Sequence, residues 1–192
     1  VVDPLKITIV NYAGDGELLV GPWHQQNVDL GTRELPFGAE LYIERDDFAE
    51  VPPKKFKRLS PGQMVRLRYA YIIRCDEVIT DEDGEVVELR CSYFPDSRSG
   101  SDTSGLKPKG VIHWAHAQRS VAAEMRLYDR LFRVPQPGAG TLADDLNPDS
   151  LRVARGFVEP AVAASEHSRF QFERTGYFCK DAQSGDALVF NR

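Results

Sequence analysis

The sequence predicts an all-β fold: two packed β-barrels with a few short helices. Three observations carry that prediction. Apolar and polar residues alternate through "LKITIVNY" and several later runs, the period-2 pattern of half-buried strands. "EVITDEDGEVVEL" sets two β-branched runs around Asp81-Glu82-Asp83-Gly84, a hairpin signal. Gly and Pro interrupt the chain so often, 15 and 12 times, that no helix signal exceeds about two turns.

Each element follows in order. Leu5, Ile7 and Ile9 alternate with Lys6, Thr8 and Val10 in the first strand. "AELYIER" is the next, and "QMVRLRYAYII" reads as one strand. The hairpin at 81–84 follows, then "GVIHW", "AEMRLYDRLF", "RFQFER" with "GYFCK", and "ALVFN". "RDDFAE", stopped by Pro52-Pro53, and "TLADDL", stopped by Asn147-Pro148, read as short helices, with "EPAVAAS" as a third. These strands outnumber those of one small barrel, hence two. "PDSRSGSDTSGLKPK", Pro95 to Lys109, reads as a mobile surface connection.

Composition narrows the class. A chain of 192 residues, 42% hydrophobic and 28% charged, is globular. No apolar run approaches the roughly 20 residues a membrane helix needs. The chain has neither a signal-peptide pattern nor an initiator Met and reads as part of a longer protein. Three widely spaced cysteines, Cys75, Cys91 and Cys179, make no CxxC pair. They read as half-buried structural thiols in a reducing, cytoplasmic setting.

Charge is distributed unevenly. The chain is acidic, with 24 Lys+Arg against 29 Asp+Glu. Yet "KKFKRLSPGQMVRLRYAYIIR", 54–74, holds seven basic residues and no acid. Read as a strand, it turns Val65, Leu67, Tyr69, Tyr71 and Ile73 inward and sets Arg66 and Arg68 on the other face, roughly 7 Å apart. Lys57 and Arg58 project near its start. A solvated strand edge would explain some of the lysines. Arginine offers a planar fork of donors suited to phosphates and base edges. On charge pattern alone both readings stay open.

Further stretches narrow the choice. "VVDPLKITIVNY", "ELPFGAELYIERDDF", "FKRLSPGQMVRLRYAYII", "KGVIHWAHA", "EMRLYDRLFRVPQPG", "LNPDSLRVARGFVEP", "FQFERTGYFCKD" and "VFNR" cover nearly the whole chain. Together they resemble the C-terminal anticodon-binding region of bacterial-type glutaminyl-tRNA synthetase. "RLYDRLF" and "QFERxGYF" are the most specific of them. The resemblance implies two β-barrels, related to that of a ribosomal protein that binds 5S rRNA. It implies that they clamp the anticodon loop of tRNA(Gln) far from the active site. It divides 1–192 into a distal barrel at 54–116 and a proximal barrel of 1–53 plus 117–192.

Site residues are implied in the same way. The family splays three anticodon bases into separate pockets. Arg58, in "FKRL", looks like the reader of the third base, a guanine, with Lys57 beside it. Lys55 stands where the family has a polar residue, often Gln, that contacts the loop. Arg66 and Arg68, in "VRLR", look like the pocket for the first base, one of them holding phosphate. Gln171 and Arg174, in "FQFER", look like readers of the middle base, uracil. Gln26, in "PWHQQN", falls where the family often has Asn. One family Arg of the uracil pocket falls upstream of Val1. The chemistry agrees: single-stranded RNA is read through unstacked base edges, guanine suits an Arg fork, and Gln both donates and accepts.

The synthetase's catalytic signatures are missing: there is no Gly-rich βα turn, no HIGH-like and no KMSKS-like sequence. The chain is expected to be no enzyme by itself and to hold no cofactor, ATP belonging to the catalytic domain of the same polypeptide. The expected partners are tRNA(Gln) and that catalytic domain, with no membrane, and the expected state is a monomer. His113 and His116, three apart with no third ligand at metal spacing, read as structural. Two alternatives remain. One is the equivalent module of a discriminating glutamyl-tRNA synthetase. The other is a β-barrel protein-interaction domain with a basic face.

Overall fold

Leu5, Ile7 and Ile9 are all buried on one side of β1 (Pro4–Ile9), as their alternation requires. The outward Lys6 pairs with Glu40 at 2.6 Å. The same logic builds β4 (Glu40–Glu44), with Leu41 and Ile43 buried, and β5 (Met64–Leu67), with Val65 and Leu67 buried. These strands come from a computed structural model that describes residues 1–185 and 187–192.

The chain forms two units. The first comprises Val1, Asp3–Val121 and Phe157–Ala164. It contains β1, β2 (Glu17–Pro22), β3 (Thr32–Phe37), β4, β5, β6 (Ile72–Thr80), β7 (Val86–Phe94), β8 (Val111–Ile112) and β9 (Ala115–His116). Seven of these form one sheet in the order β8-β5-β6-β7-β1-β4-β9, and β2 and β3 form a separate ribbon. The two edge strands, β8 and β9, are neighbours in sequence, separated only by His113 and Trp114. Laid flat, the two edges of this sheet, six spacings apart, would stand about 29 Å from each other. A two-residue link spans about 10 Å. The sheet therefore curls until its edges nearly meet, which makes it a barrel. Trp114 fills the seam: it is buried, stacks edge-on against Phe37 at 5.4 Å, and donates its indole N–H to Arg68 O at 2.9 Å.

The hairpin forms as its sequence predicts. β6 and β7 pair antiparallel, and Gly84 takes a φ of 84° in the turn. The Asp81 carboxylate accepts from the amides of Asp83 and Glu85. Cys75 and Cys91 face each other across this pair and are fully buried, whereas Cys179 is exposed. None of the three is half-buried.

One expectation fails. "QMVRLRYAYII" is two strands. β5 stops at Leu67, a turn follows, and β6 begins at Ile72. Ala70 N donates to Leu67 O at 2.9 Å, and Tyr69 adopts a left-handed φ of 60°. The cause is tertiary. The Tyr69 ring lies against Gly21, where a Cβ would come within 2.8 Å of it. Burial, then a hydrogen bond to Glu17, pushes the neighbouring Tyr71 phenol up to about 12.

The second unit comprises Val2, Ala122–Gly156 and Ser165–Arg192. Its sheet has the order β11-β10-β14-β13-β12, from β10 (Val121–Tyr128), β11 (Leu151–Val158), β12 (Arg169–Phe172), β13 (Gly176–Lys180) and β14 (Val189–Asn191). Met125, Leu127, Phe178 and Phe190 form its buried side. The helices are short, as predicted: a 3-10 turn at Arg45–Asp47, α1 (Leu142–Asp145) and α2 (Pro160–Ala164). No helix is long and apolar enough to cross a membrane among the described residues.

Candidate nucleic-acid interface

The loop at 54–58 is fixed at both ends. Pro52-Pro53 stiffens its entry, and Phe56 N donates to Pro53 O at 3.1 Å. Its exit is plugged by Leu59, fully buried, whose N–H reaches Asp47 O at 2.9 Å. Between these anchors Lys54, Lys55 and Lys57 are exposed, and Lys55 has a left-handed φ of 67°. No acid lies within ion-pair distance of these three among the described residues.

Arg58 turns back onto the protein. Its Nη1 donates to Asp46 O at 2.7 Å and its Nε faces Asp47 Oδ1 at 3.3 Å. The Asp47 side chain is 2% exposed, so this pair fixes the plane of the guanidinium. Phe56 lies 6.0 Å from it.

Arg66 is held more completely. Its Nη1 donates to Ser97 O at 2.6 Å and reaches Ser99 Oγ and Ala70 O, and its Nη2 pairs with Asp102. The Ser104 hydroxyl and amide, then Arg66, hold the Asp102 carboxyl below its ordinary range. The segment 95–109, expected as a mobile connection, is thus laced onto the Arg66 guanidinium. Ser97 is fully buried, and Ser99 N donates to Ala70 O at 2.9 Å.

Arg68 sits in the turn after β5, with its guanidinium 5.8 Å from the Tyr69 ring. Its backbone is tied on both sides: N–H to Ile112 O at 2.9 Å, C=O to the Trp114 indole. Gly110 O accepts from Arg66 N at 3.0 Å. The carbonyl of Lys57 packs on Gly110 so closely that a Cβ there would overlap it. Lys57, Arg66 and Arg68 are therefore gathered around one segment, 110–114.

Gln26 lies exposed in the bend between β2 and β3. The His24 Nδ1 accepts from the amides of Gln26 at 3.2 Å and Asn27 at 3.0 Å, which shapes that bend. At this same end of the ribbon, Gly21 meets the turn at Tyr69. Gln171 and Arg174 belong to the second unit and share one hairpin. Gln171 is on β12, and Arg174 occupies the β12–β13 turn with a left-handed φ of 61°. Both are exposed.

Sequence reading placed the basic residues but missed what holds them. Asp46, Asp47, Asp102, Ser97 and Gly110 all lie outside 54–74. The stretch that holds no acid of its own receives its acids from Asp47, 7 residues upstream of Lys54, and from Asp102 in the 95–109 segment. Arg74 adds a third pair, with Asp76 at 2.6 Å. No residue spacing foretells such contacts. His116 is structural: burial, then the charge of Arg119, lowers its pKa, and its Nδ1 accepts from the amides of Gln118 and Arg119. No group of three or more His, Cys, Asp or Glu is placed to hold a metal ion among the described residues.

Comparison with known proteins bears on this geometry. Two family models, both described as tRNA synthetases class I (E and Q), anti-codon binding domain, match residues 1–94 and 111–181. A glutamine–tRNA ligase from Pseudomonas putida is 54% identical over 202 residues, and one from Nitrobacter hamburgensis is 51% identical over 195. One from Yersinia enterocolitica is 47% identical over 196. Each match takes in 100% of this chain and 35% of the relative, so the chain spans about a third of their length. The chain belongs to the anticodon-binding domains of the class I (E and Q) tRNA synthetases.

Proposed function

We propose that this chain is the anticodon-reading region of a glutaminyl-tRNA synthetase. It recognises the splayed anticodon bases of tRNA(Gln), so that the parent enzyme, in the cytoplasm and as a monomer, attaches glutamine with ATP in its catalytic domain. The observation that carries this reading is the gathering of Lys57, Arg66 and Arg68 around 110–114, each on a fixed backbone. Rigid placement of donors is what base readout demands, and a solvated edge does not. The identities to glutamine–tRNA ligases favour glutamine over glutamate.

The residues take these parts. Arg58, its plane set by Asp47, reads the third base, a guanine, with a fork that suits O6 and N7. Lys55 and Lys57 meet the loop's phosphates as unpaired point charges. Arg68 takes the first base, and Arg66, bound to the 95–109 segment, shapes its pocket wall. Gln171 and Arg174 read the middle uracil, and Gln26 touches the loop. The two units stand for the two barrels, with bounds other than the expected division at 54–116.

Filter binding of transcribed tRNA(Gln) and of an anticodon-swapped tRNA(Gln) tests the reading. The expected result is selective retention of the first. Equal retention of both at every salt concentration overturns base readout and favours a protein-interaction role.

A further inference from the structure

We propose that Tyr177 is the stacking surface for the base whose edge Gln171 hydrogen-bonds. The inference rests on the function proposed above and adds a residue that function does not yet include.

The strand register places the two side chains together. Tyr177 stands directly opposite Gln171 in the antiparallel β12–β13 pair. Lys180 N donates to Ser168 O at 2.7 Å, so Arg169 and Cys179 form a non-hydrogen-bonded pair. Two residues along, Gln171 and Tyr177 form another. In such pairs the Cβ atoms lie about 4.5–5.5 Å apart on one face of the sheet. A side-chain amide and a phenol ring thus stand side by side.

The other face of the hairpin prevents them from turning inward. Phe172 stacks on Phe178 at 4.5 Å, and Phe170 and Phe172 both meet Phe190. A one-residue slip would expel those rings, so the register is fixed. The Tyr177 side is left with 76% of the residue exposed, on the same face as Arg169, Gln171 and Cys179. Its ring makes no use of the core.

The chemistry selects the occupant. An amide that donates and accepts beside a flat apolar ring matches an unstacked pyrimidine. The amide meets the base's pairing edge, and the ring covers a base face that has lost its neighbours in the RNA. Arg174, three residues from Gln171 in the same hairpin, adds a cation for the backbone or a carbonyl.

The test measures binding of the anticodon stem-loop of tRNA(Gln) to the chain, using wild type, Tyr177→Ala and Tyr177→Phe. Each is tested on intact RNA and on RNA abasic at the middle anticodon position. Tyr177→Ala is expected to weaken binding of intact RNA about tenfold or more, the scale of one lost base–aromatic stack. Tyr177→Phe is expected to restore most of that loss, because the ring does the work. On abasic RNA, wild type and Tyr177→Ala are expected to agree within about twofold. A thermal melt shows that each variant folds. Tyr177→Ala matching wild type on intact RNA, while wild type still prefers the cognate anticodon, overturns the role of Tyr177 and leaves the function standing. An equal loss on intact and abasic RNA also overturns it, since the residue would then act without the base. Wild type binding cognate and swapped stem-loops equally overturns the function itself, and the role of Tyr177 with it.

Discussion

The carbonyl of Lys57 lies against Gly110, in space that the Cβ of any other residue would need. This contact joins the basic loop to the segment that also binds Arg66 and Arg68. Gly110→Ala must push the loop away from β5. The insertion is expected to destabilise the protein by about 1–3 kcal/mol and to weaken tRNA binding. Thermal melts and filter binding check both, and an unchanged melt contradicts the contact.

Arg58→Ala has two consequences that separate cleanly. It takes from Asp47, a buried carboxylate, a charged partner, at a stability cost of about 1–3 kcal/mol. It also removes the proposed guanine fork, so discrimination between guanine and adenine at the third anticodon position falls by about 1–3 kcal/mol. Denaturant melts read the first, and competition between two stem-loops reads the second. Lost stability with intact selectivity would make Arg58 purely structural.

Lys54 is exposed at the start of the same loop. Lys54→Ala is expected to weaken binding of every tRNA alike and to reduce the slope of log affinity against log salt by about one unit. A salt titration on cognate and swapped tRNA measures this. A loss confined to the cognate sequence contradicts it.

His116 predicts a pH dependence. Burial, then Arg119, lowers its pKa, against a smaller opposing effect of Glu40. Folded chains therefore bind fewer protons at this ring than unfolded ones near the ordinary value of about 6.5. Its contribution is complete above that value and is lost as pH falls through the lower, folded value. The melting temperature is expected to fall on acidification below about pH 6.5, and the fall should shrink in His116→Asn. Identical profiles for the two proteins would refute this.

Local chemistry made much of the fold legible. The alternation in 4–9, the Asp-Gly hairpin at 81–84 and the short helices all follow from period and turn residues. What escaped depended on partners remote in sequence. The ribbon of β2 and β3, with Gly21 and Pro36 in its strands, lacks strong strand composition and exists through pairing. β1 lies parallel to β7, an arrangement no local signal encodes. The break at Arg68-Tyr69 arises because Tyr69 packs against Gly21, so residues read as one face of a strand lie on both sides of a turn. In the site, residue types were legible and their restraints were not: nothing near Arg66 in sequence announces Asp102.

The seam of the first barrel bears on how the molecule is made. A ribosome releases β4 and β5 long before residues 111–116 exist to cover them. During that interval the nascent sheet carries two raw hydrogen-bonding rims, each able to recruit a stranger. Six residues, with Trp114 as the peg, then fasten both rims at once. A chain cut short before 111 would keep every strand of the main sheet except the two that seal it, and aggregation rather than loss of secondary structure would be its failure.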